Sequence, residues 1–261
     1  MPRILFTCAY DGAPWRGWQS QVGGGTVQDC LEEAFARILK SPLRICAAGR
    51  TDAGVHALAQ RFHADVPSAC RMSAEAWLRA LNAHLPASVR VMRAEPVADD
   101  FHARFDAVGK VYEYRVYRGS VLPPHWAGRA WHHPHPLDLA ALQAALHCYE
   151  GEHDFRRFAA RRGNEPDPAP QDFYLRTIYG ATCQADGEDM LLLRFHGNGF
   201  MYRMVRLLVG TACRVAAGRL PLQSLQEALD NPLGEHTRHC APADGLYLLQ
   251  VLYGGKEARS A

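Results

Sequence analysis

An α+β fold is what this sequence predicts, and three observations predict it. Residues 111–117 read V-Y-E-Y-R-V-Y, an alternation with the period of two that a strand imposes. Val27, Leu31, Phe35, Ile38 and Leu39 recur at the three- and four-residue spacing of a helix face. The two signals then mix along the whole chain, the pattern of sheets covered by helices on one side. With 261 residues and 48% hydrophobic composition, the chain carries enough apolar surface for two cores, so two packed halves are expected, 1–104 and 105–261.

Each element has a local reason. Residues 3–9, R-I-L-F-T-C-A, form a short apolar strand that Tyr10-Asp11-Gly12 turns out of. A loop carrying Trp15, Trp18 and Gln19 ends in three glycines, and Thr26 then fits the N-cap of a helix running to Lys40, with Pro42 marking its exit. The apolar stretch 43–48 predicts a strand. Ser73 caps a second helix through Trp77, Leu78, Leu81 and Leu85 that Pro86 stops, and Asp138 caps a third through Leu142, Leu146 and Tyr149. The Pro-rich, charged stretch 159–172 reads as a surface loop. Strands at 174–184 and 190–196 flank Asp186-Gly187-Glu188-Asp189 as a hairpin, a long helix covers 200–217, a short one 222–229, and a last strand 246–253.

Bulk charge excludes little. The net balance is only +2, and although all but three of the 29 basic side chains are arginine, a fork suited to phosphate, a GC-rich genome produces the same bias. The eight cysteines include no C-x-x-C pair, and no apolar leader or run of about 18 apolar residues is present. Buried, reduced thiols in a cytoplasmic protein are therefore expected, without export or membrane insertion.

Several stretches offer chemistry. Gly23-Gly24-Gly25-Thr26 lacks the Lys-Ser/Thr of a nucleotide P-loop, so no nucleotide cofactor is expected. His132, His133 and His135 make the densest imidazole group, yet no carboxylate or thiol is spaced to complete a metal site, and solvated loop histidines are the expectation. Arg203 and Arg206, three apart, share a face if both are helical; turned inward, Arg206 needs a carboxylate partner. Residues 49–57 read G-R-T-D-A-G-V-H-A. If the strand from residue 43 continues through Arg50, then Arg50 and Asp52 point the same way, and the guanidinium keeps the carboxylate ionised beside a surface left open by Ala53 and Gly54. A plain Asp-Ala-Gly turn without chemistry is the competing reading of the same letters.

That stretch resembles the catalytic motif of the tRNA pseudouridine synthase A family. The resemblance spans nearly the whole chain: Tyr10-Asp11-Gly12, Gly17-Trp18-Gln19, Thr26-Val27-Gln28, Leu31-Glu32, Phe105, Lys110, Tyr112, Tyr114, Gly151-Glu152-His153-Asp154-Phe155, Arg176-Thr177-Ile178, Gly197-Asn198-Gly199-Phe200, Met204-Val205-Arg206, Val209-Gly210-Thr211, and Ala241-Pro242 with Gly245-Leu246-Tyr247-Leu248. Each match is weak, and their order together is specific. It implies isomerisation of uridines 38 to 40 in the anticodon stem-loop of tRNA to pseudouridine, without cofactor or metal, by a cytoplasmic homodimer. The implied fold is two similar halves whose sheets join into one extended sheet, helices on one face, with a central basic cleft. Asp52 is the implied essential carboxylate, Tyr112 the ring that stacks on the target uracil and Arg206 the cation paired with the acid; Arg50, Thr51, Lys110 and Arg203 are the implied RNA contacts beside Tyr112.

The chemistry sets its own demands, and these residue types meet them. The N1–C1′ bond must break, the uracil turn, and C5 join C1′ before losing its proton. An ionised carboxylate can attack C1′ or take a proton from C2′, and both routes stay open. Extruding a stem uridine costs a few kcal/mol, of which stacking on an aromatic ring returns about 1–3 kcal/mol. Ala13-Pro14-Trp15 and Asp106 depart from the family pattern and leave substrate range less defined. Two rivals remain: a non-catalytic RNA-binding protein using the same cleft, and a metallohydrolase on His132, His133 and His135.

Overall fold

Phe6, Phe35, Phe62 and Trp77 meet in one fully buried cluster, and that cluster explains the first half of the chain. Phe6 stacks on Phe62 at 5.1 Å and receives Phe35 and Trp77 edge-on at 5.4 and 6.0 Å. Phe6 lies on strand β1 (Arg3–Tyr10), Phe62 on β3 (His56–Asp65), Phe35 on helix α1 (Val27–Leu39) and Trp77 on α2 (Ala74–His84). Two helices thus share one face of a sheet, each ring burying apolar area that contributes about 2–3 kcal/mol.

The computed structural model describes all residues except 162, 164, 165, 167–169, 171 and 256–261, so Arg162 and part of the 159–172 stretch lie outside the described residues. The chain divides into two compact units, 1–109 with 247–261, and 110–246. Both are α+β. In the first unit the strand order is β4 (Val89–Val97), β1, β3 and β10 (Leu246–Tyr253), with β2 (Ile45–Ala47) on β3. All these pairs are antiparallel except β3 with β10, so the unit's sheet is mixed. Helix α1 starts where Thr26 accepts the Asp29 N–H and ends at Lys40, whose φ of 57° is left-handed. Ser73 caps α2 in the same way.

The second unit pairs β5 (Ala107–Tyr117) with β9 (Met190–Gly197), then β8 (Leu175–Asp186) and β7 (Gly151–Asp154), all antiparallel, while β6 (Trp131–His132) lies parallel on β5. Helix α3 (Leu139–His147) is capped by Asp138 and packs on α4 (Met204–Ala216), on β8 and on α5 (Leu222–Asp230). The Tyr149 hydroxyl donates to Leu208 O at 3.0 Å, which ties the end of α3 to α4. Gly210 of α4 takes the 239–241 segment directly on its backbone: a Cβ there would lie 1.9 Å from His239 O. Among the described residues no helix is long and apolar enough to cross a membrane.

Three expectations need correction. The strand from residue 43 does not continue through Arg50; β2 stops at Ala47. Helix α4 begins at Met204 rather than 200, because Gly197-Asn198-Gly199 closes β9 and Arg203 takes a left-handed φ of 58° as the N-cap. Arg203 therefore shares no helical face with Arg206. Strands β3, β4, β6 and β7 stand where no strand was expected, β7 over residues 151–154 that read as a loop after the third helix.

Two predictions follow from packing. Gly210→Ala forces α4 and the 239–241 segment apart and lowers stability by at least about 2 kcal/mol, whereas Gly180→Ala, with open space at its Cβ, stays within about 0.5 kcal/mol; thermal melts of the two variants check this. Burial, then Arg3, then His102 push His63 down from 6.5 to about 4. Between those values the unfolded chain binds a proton that the folded one does not, so stability is full above pH 6.5 and declines as pH falls toward 4. Urea melts across that range should show the decline, flattened in His63→Asn.

Candidate active site

Asp52 occupies the first corner of a tight turn that two other segments hold in place. The turn closes through Val55 N–H to Asp52 O at 3.1 Å, and Gly54 supplies its positive φ of 79°. Ahead of it, Thr51 is only 6% exposed. Its carbonyl accepts the Trp18 N–H at 3.1 Å, and its Oγ1 lies 2.8 Å from the Tyr10 hydroxyl. Behind it, His56 opens β3, and its Nδ1 accepts the Gly12 N–H at 3.0 Å. A backbone N–H only donates, so Nδ1 carries no proton, and its 3.3 Å approach to Asp11 Oδ1 is a contact rather than an ion pair. The His56 ring stacks on Tyr247 of β10 at 4.4 Å.

Glycines make the close approach possible. A Cβ on Gly12 would meet Val55 O at 2.1 Å, and one on Gly17, already at φ 89°, would meet Thr51 O at 2.8 Å. Below, the Gln60 amide donates to Gly49 O at 3.0 Å. Arg50, Thr51 and Asp52 thus share one anchored loop, with Arg50 exposed and Asp52 partly exposed. Trp15 belongs to the same scaffold: its N–H donates to Gly12 O at 2.9 Å.

In the second unit, β5 carries Lys110 and Tyr112. Tyr112 is 8% exposed, and Phe200 meets its ring edge-on at 5.1 Å. Phe200 reaches it over Gly197, where a Cβ would stand 3.2 Å from the Phe200 ring. On the opposite face Glu113 is buried between Arg115 and Arg194, at 3.1 and 2.9 Å. Arg206, in the first turn of α4, exchanges two hydrogen bonds with Ala241: its Nε donates to Ala241 O at 2.7 Å, and Ala241 N–H donates to Arg206 O at 3.0 Å. The next residue of that segment, Pro242, accepts the Tyr114 hydroxyl at 2.7 Å. Burial raises the Tyr114 phenol well above its ordinary value, and Arg206 is close enough to oppose the rise. Arg203 is exposed, its guanidinium 5.1 Å from the Tyr202 ring. Sequence reasoning missed Tyr10, Gly12, His56, Phe200 and residues 241–242 as contributors to the site; they stood inside matched motifs, but their contacts join residues far apart in the chain.

Metal-ligand spacing occurs once among the described residues, and not at His132, His133 and His135, the histidines of the rival metallohydrolase reading. Ligand atoms of Cys46, His63 and His102 lie within 4.8 Å of one another. His63 Nδ1 accepts the Ala103 N–H, and His102 Nδ1 accepts those of Arg104 and Phe105. Both rings therefore carry their proton on Nε2, where a metal would need the lone pair, and Arg3 and Arg104 add positive charge beside Cys46. The group does not suit a cation. In the 132–135 stretch, His132 Nε2 is 2.9 Å from Gly119 O and His133 Nδ1 is 3.2 Å from His135 O, so both nitrogens donate locally. Asp106 accepts the His102 N–H at 2.7 Å.

Comparison with known proteins gives the family. A family model described as tRNA pseudouridine synthase matches residues 8–106 and 145–254. A tRNA pseudouridine synthase A of Akkermansia muciniphila is 48% identical over 254 residues, 97% of this chain and 96% of that one. Proteins of the same name from Latilactobacillus sakei and Bordetella petrii are 40% and 41% identical, over 96% and 97% of this chain and 98% and 92% of theirs. With matches of that extent on both sides of the Asp52 turn, the chain belongs to the tRNA pseudouridine synthase family.

Proposed function

We propose that this family member, an isomerase acting on tRNA, converts uridines 38 to 40 of the anticodon stem-loop to pseudouridine. Asp52 is the reacting carboxylate, attacking C1′ or taking the C2′ proton. Tyr112 stacks on the extruded uracil, and Arg206 pairs with Asp52 and keeps it ionised. Arg50, Lys110 and Arg203 meet phosphates in a basic cleft. The working form is a cytoplasmic homodimer.

The observation that carries this reading is the build of the Asp52 turn. A reacting carboxylate must be held within a fraction of an ångström of its target, and this one follows a buried residue anchored at both its carbonyl and its hydroxyl. An ordinary surface turn has no need of such support. Phe200 gives further support, because an edge-on ring against Tyr112 fixes the tilt that a stacking platform needs.

Asp52→Asn tests the assignment. The variant should keep its fold and its affinity for tRNA while pseudouridine formation falls by at least about a thousandfold, read by carbodiimide mapping of bulk tRNA. Turnover near the wild-type rate rejects Asp52 as the reacting group, and loss of affinity with intact chemistry favours a binding role instead.

A further inference from the structure

Tyr10 ends β1, and its ring lies 5.9 Å from Trp18 with only 5% of the residue exposed. Its hydroxyl is the partner of Thr51 Oγ1. We propose that Tyr10 is a positioning residue for the isomerisation: acting through Thr51, it fixes the peptide plane from which Asp52 departs. The proposal rests on Asp52 being the reacting carboxylate.

The argument is geometric. The Thr51 carbonyl lies in the same peptide plane as the Asp52 N–H, so that plane sets the direction in which the Asp52 Cα and carboxylate leave the main chain. The hydrogen bond from Trp18 N–H to Thr51 O fixes one atom of that plane. The hydroxyl pair, 2.8 Å between the Tyr10 oxygen and Thr51 Oγ1, anchors the same residue at a second point on a packed and buried side chain and restrains rotation about the first. Gly17 lies against the same turn, where a Cβ would stand 2.8 Å from Thr51 O, so the two main chains are in close contact on that side. Thr51, expected as an RNA contact, takes this role because its hydroxyl is turned inward and the residue is buried. A misplacement of about 1 Å at a reacting group costs on the order of a hundredfold in rate, so a partial pivot costs about tenfold.

Single-turnover rate, tRNA dissociation constant and thermal midpoint are measured on Tyr10→Phe, Thr51→Val, Thr51→Ser, the Tyr10→Phe/Thr51→Val double variant and Asp52→Asn, with bulk tRNA as substrate. Tyr10→Phe and Thr51→Val each remove one oxygen and keep the packed shape. Each should slow the chemical step about tenfold, with the dissociation constant within about twofold of wild type. Thr51→Ser should restore the rate to within about threefold, and the double variant should be no slower than either single one, because both remove the same bond. Wild-type rates in both single variants, a loss carried by affinity alone, additive losses in the double variant, or a collapse of the thermal midpoint that Thr51→Ser does not reverse each overturn the positioning role. Asp52→Asn separates the two levels: if it turns over, the underlying assignment fails; if it is inactive while Tyr10→Phe runs at full rate, only the role of Tyr10 fails.

Discussion

Two stretches of backbone lie so close together that no side chain fits between them, and the Asp52 loop depends on that constraint. Gly12 faces Val55 O and Gly17 faces Thr51 O at distances where a Cβ would overlap. Dispersion and the hydrogen bonds from Gly12 to His56 and from Trp18 to Thr51 hold the two together. Loops held by side chains can relax when one rotamer changes. Here the side-chain bonds act on two main chains already in contact, which leaves little slack, so a carboxylate on the loop keeps its aim when water is displaced by a polar ligand.

The second unit uses the same device around a different set of groups. The segment from Ala241 to Gly245 is gripped by β5 and α4: Gly245 O accepts the Arg115 N–H at 2.8 Å, Tyr114 reaches Pro242, and Arg206 exchanges bonds with Ala241. Gly210 lets residues 239–241 approach α4, and Gly245 lets the end of the segment approach Tyr114. Arg206 is thereby oriented through its Nε, with the terminal nitrogens of its fork beyond that bond. A guanidinium anchored at Nε presents a planar pair of donors, the geometry that suits a carboxylate, and a lysine in the same place offers only a point charge.

Much of the fold was legible because its signals are local. Thr26, Ser73 and Asp138 announce their helices through caps that need only the next three residues, and the hairpin of β8 and β9 follows from two apolar runs around Asp186 to Asp189. Asp52, Tyr112 and Arg206 were singled out by motif. What stayed hidden depends on distant partners. The start of α4 was misplaced because Arg203 adopts a left-handed backbone that its side chain does not advertise. The parallel pairing of β10 with β3 joins Tyr247 to His56 across most of the chain. β4 contains Pro96 and pairs with β1 through a register shift between Thr7 and Cys8, so its alternation is broken where a pattern would be sought.

β3 was missed for a more instructive reason: its buried positions include His56, Gln60 and His63, which break the apolar period. Burying three polar side chains in one strand costs several kcal/mol unless each finds a partner. Each does, and each partner lies on a loop: His56 accepts from Gly12, Gln60 donates to Gly49 O, and His63 accepts from Ala103. Apolar side chains at these positions would give the sheet a drier core and take from each of the three loops its directional contact with the strand. Hydrophobic burial sets how firmly the sheet is packed, but it is non-directional and cannot fix where a neighbouring main chain runs. Hydrogen bonds from a rigid strand can. Two of the three loops so held, at 10–18 and 49–55, form the scaffold of Asp52, so the polar letters that disguise β3 are the same ones that place the candidate acid.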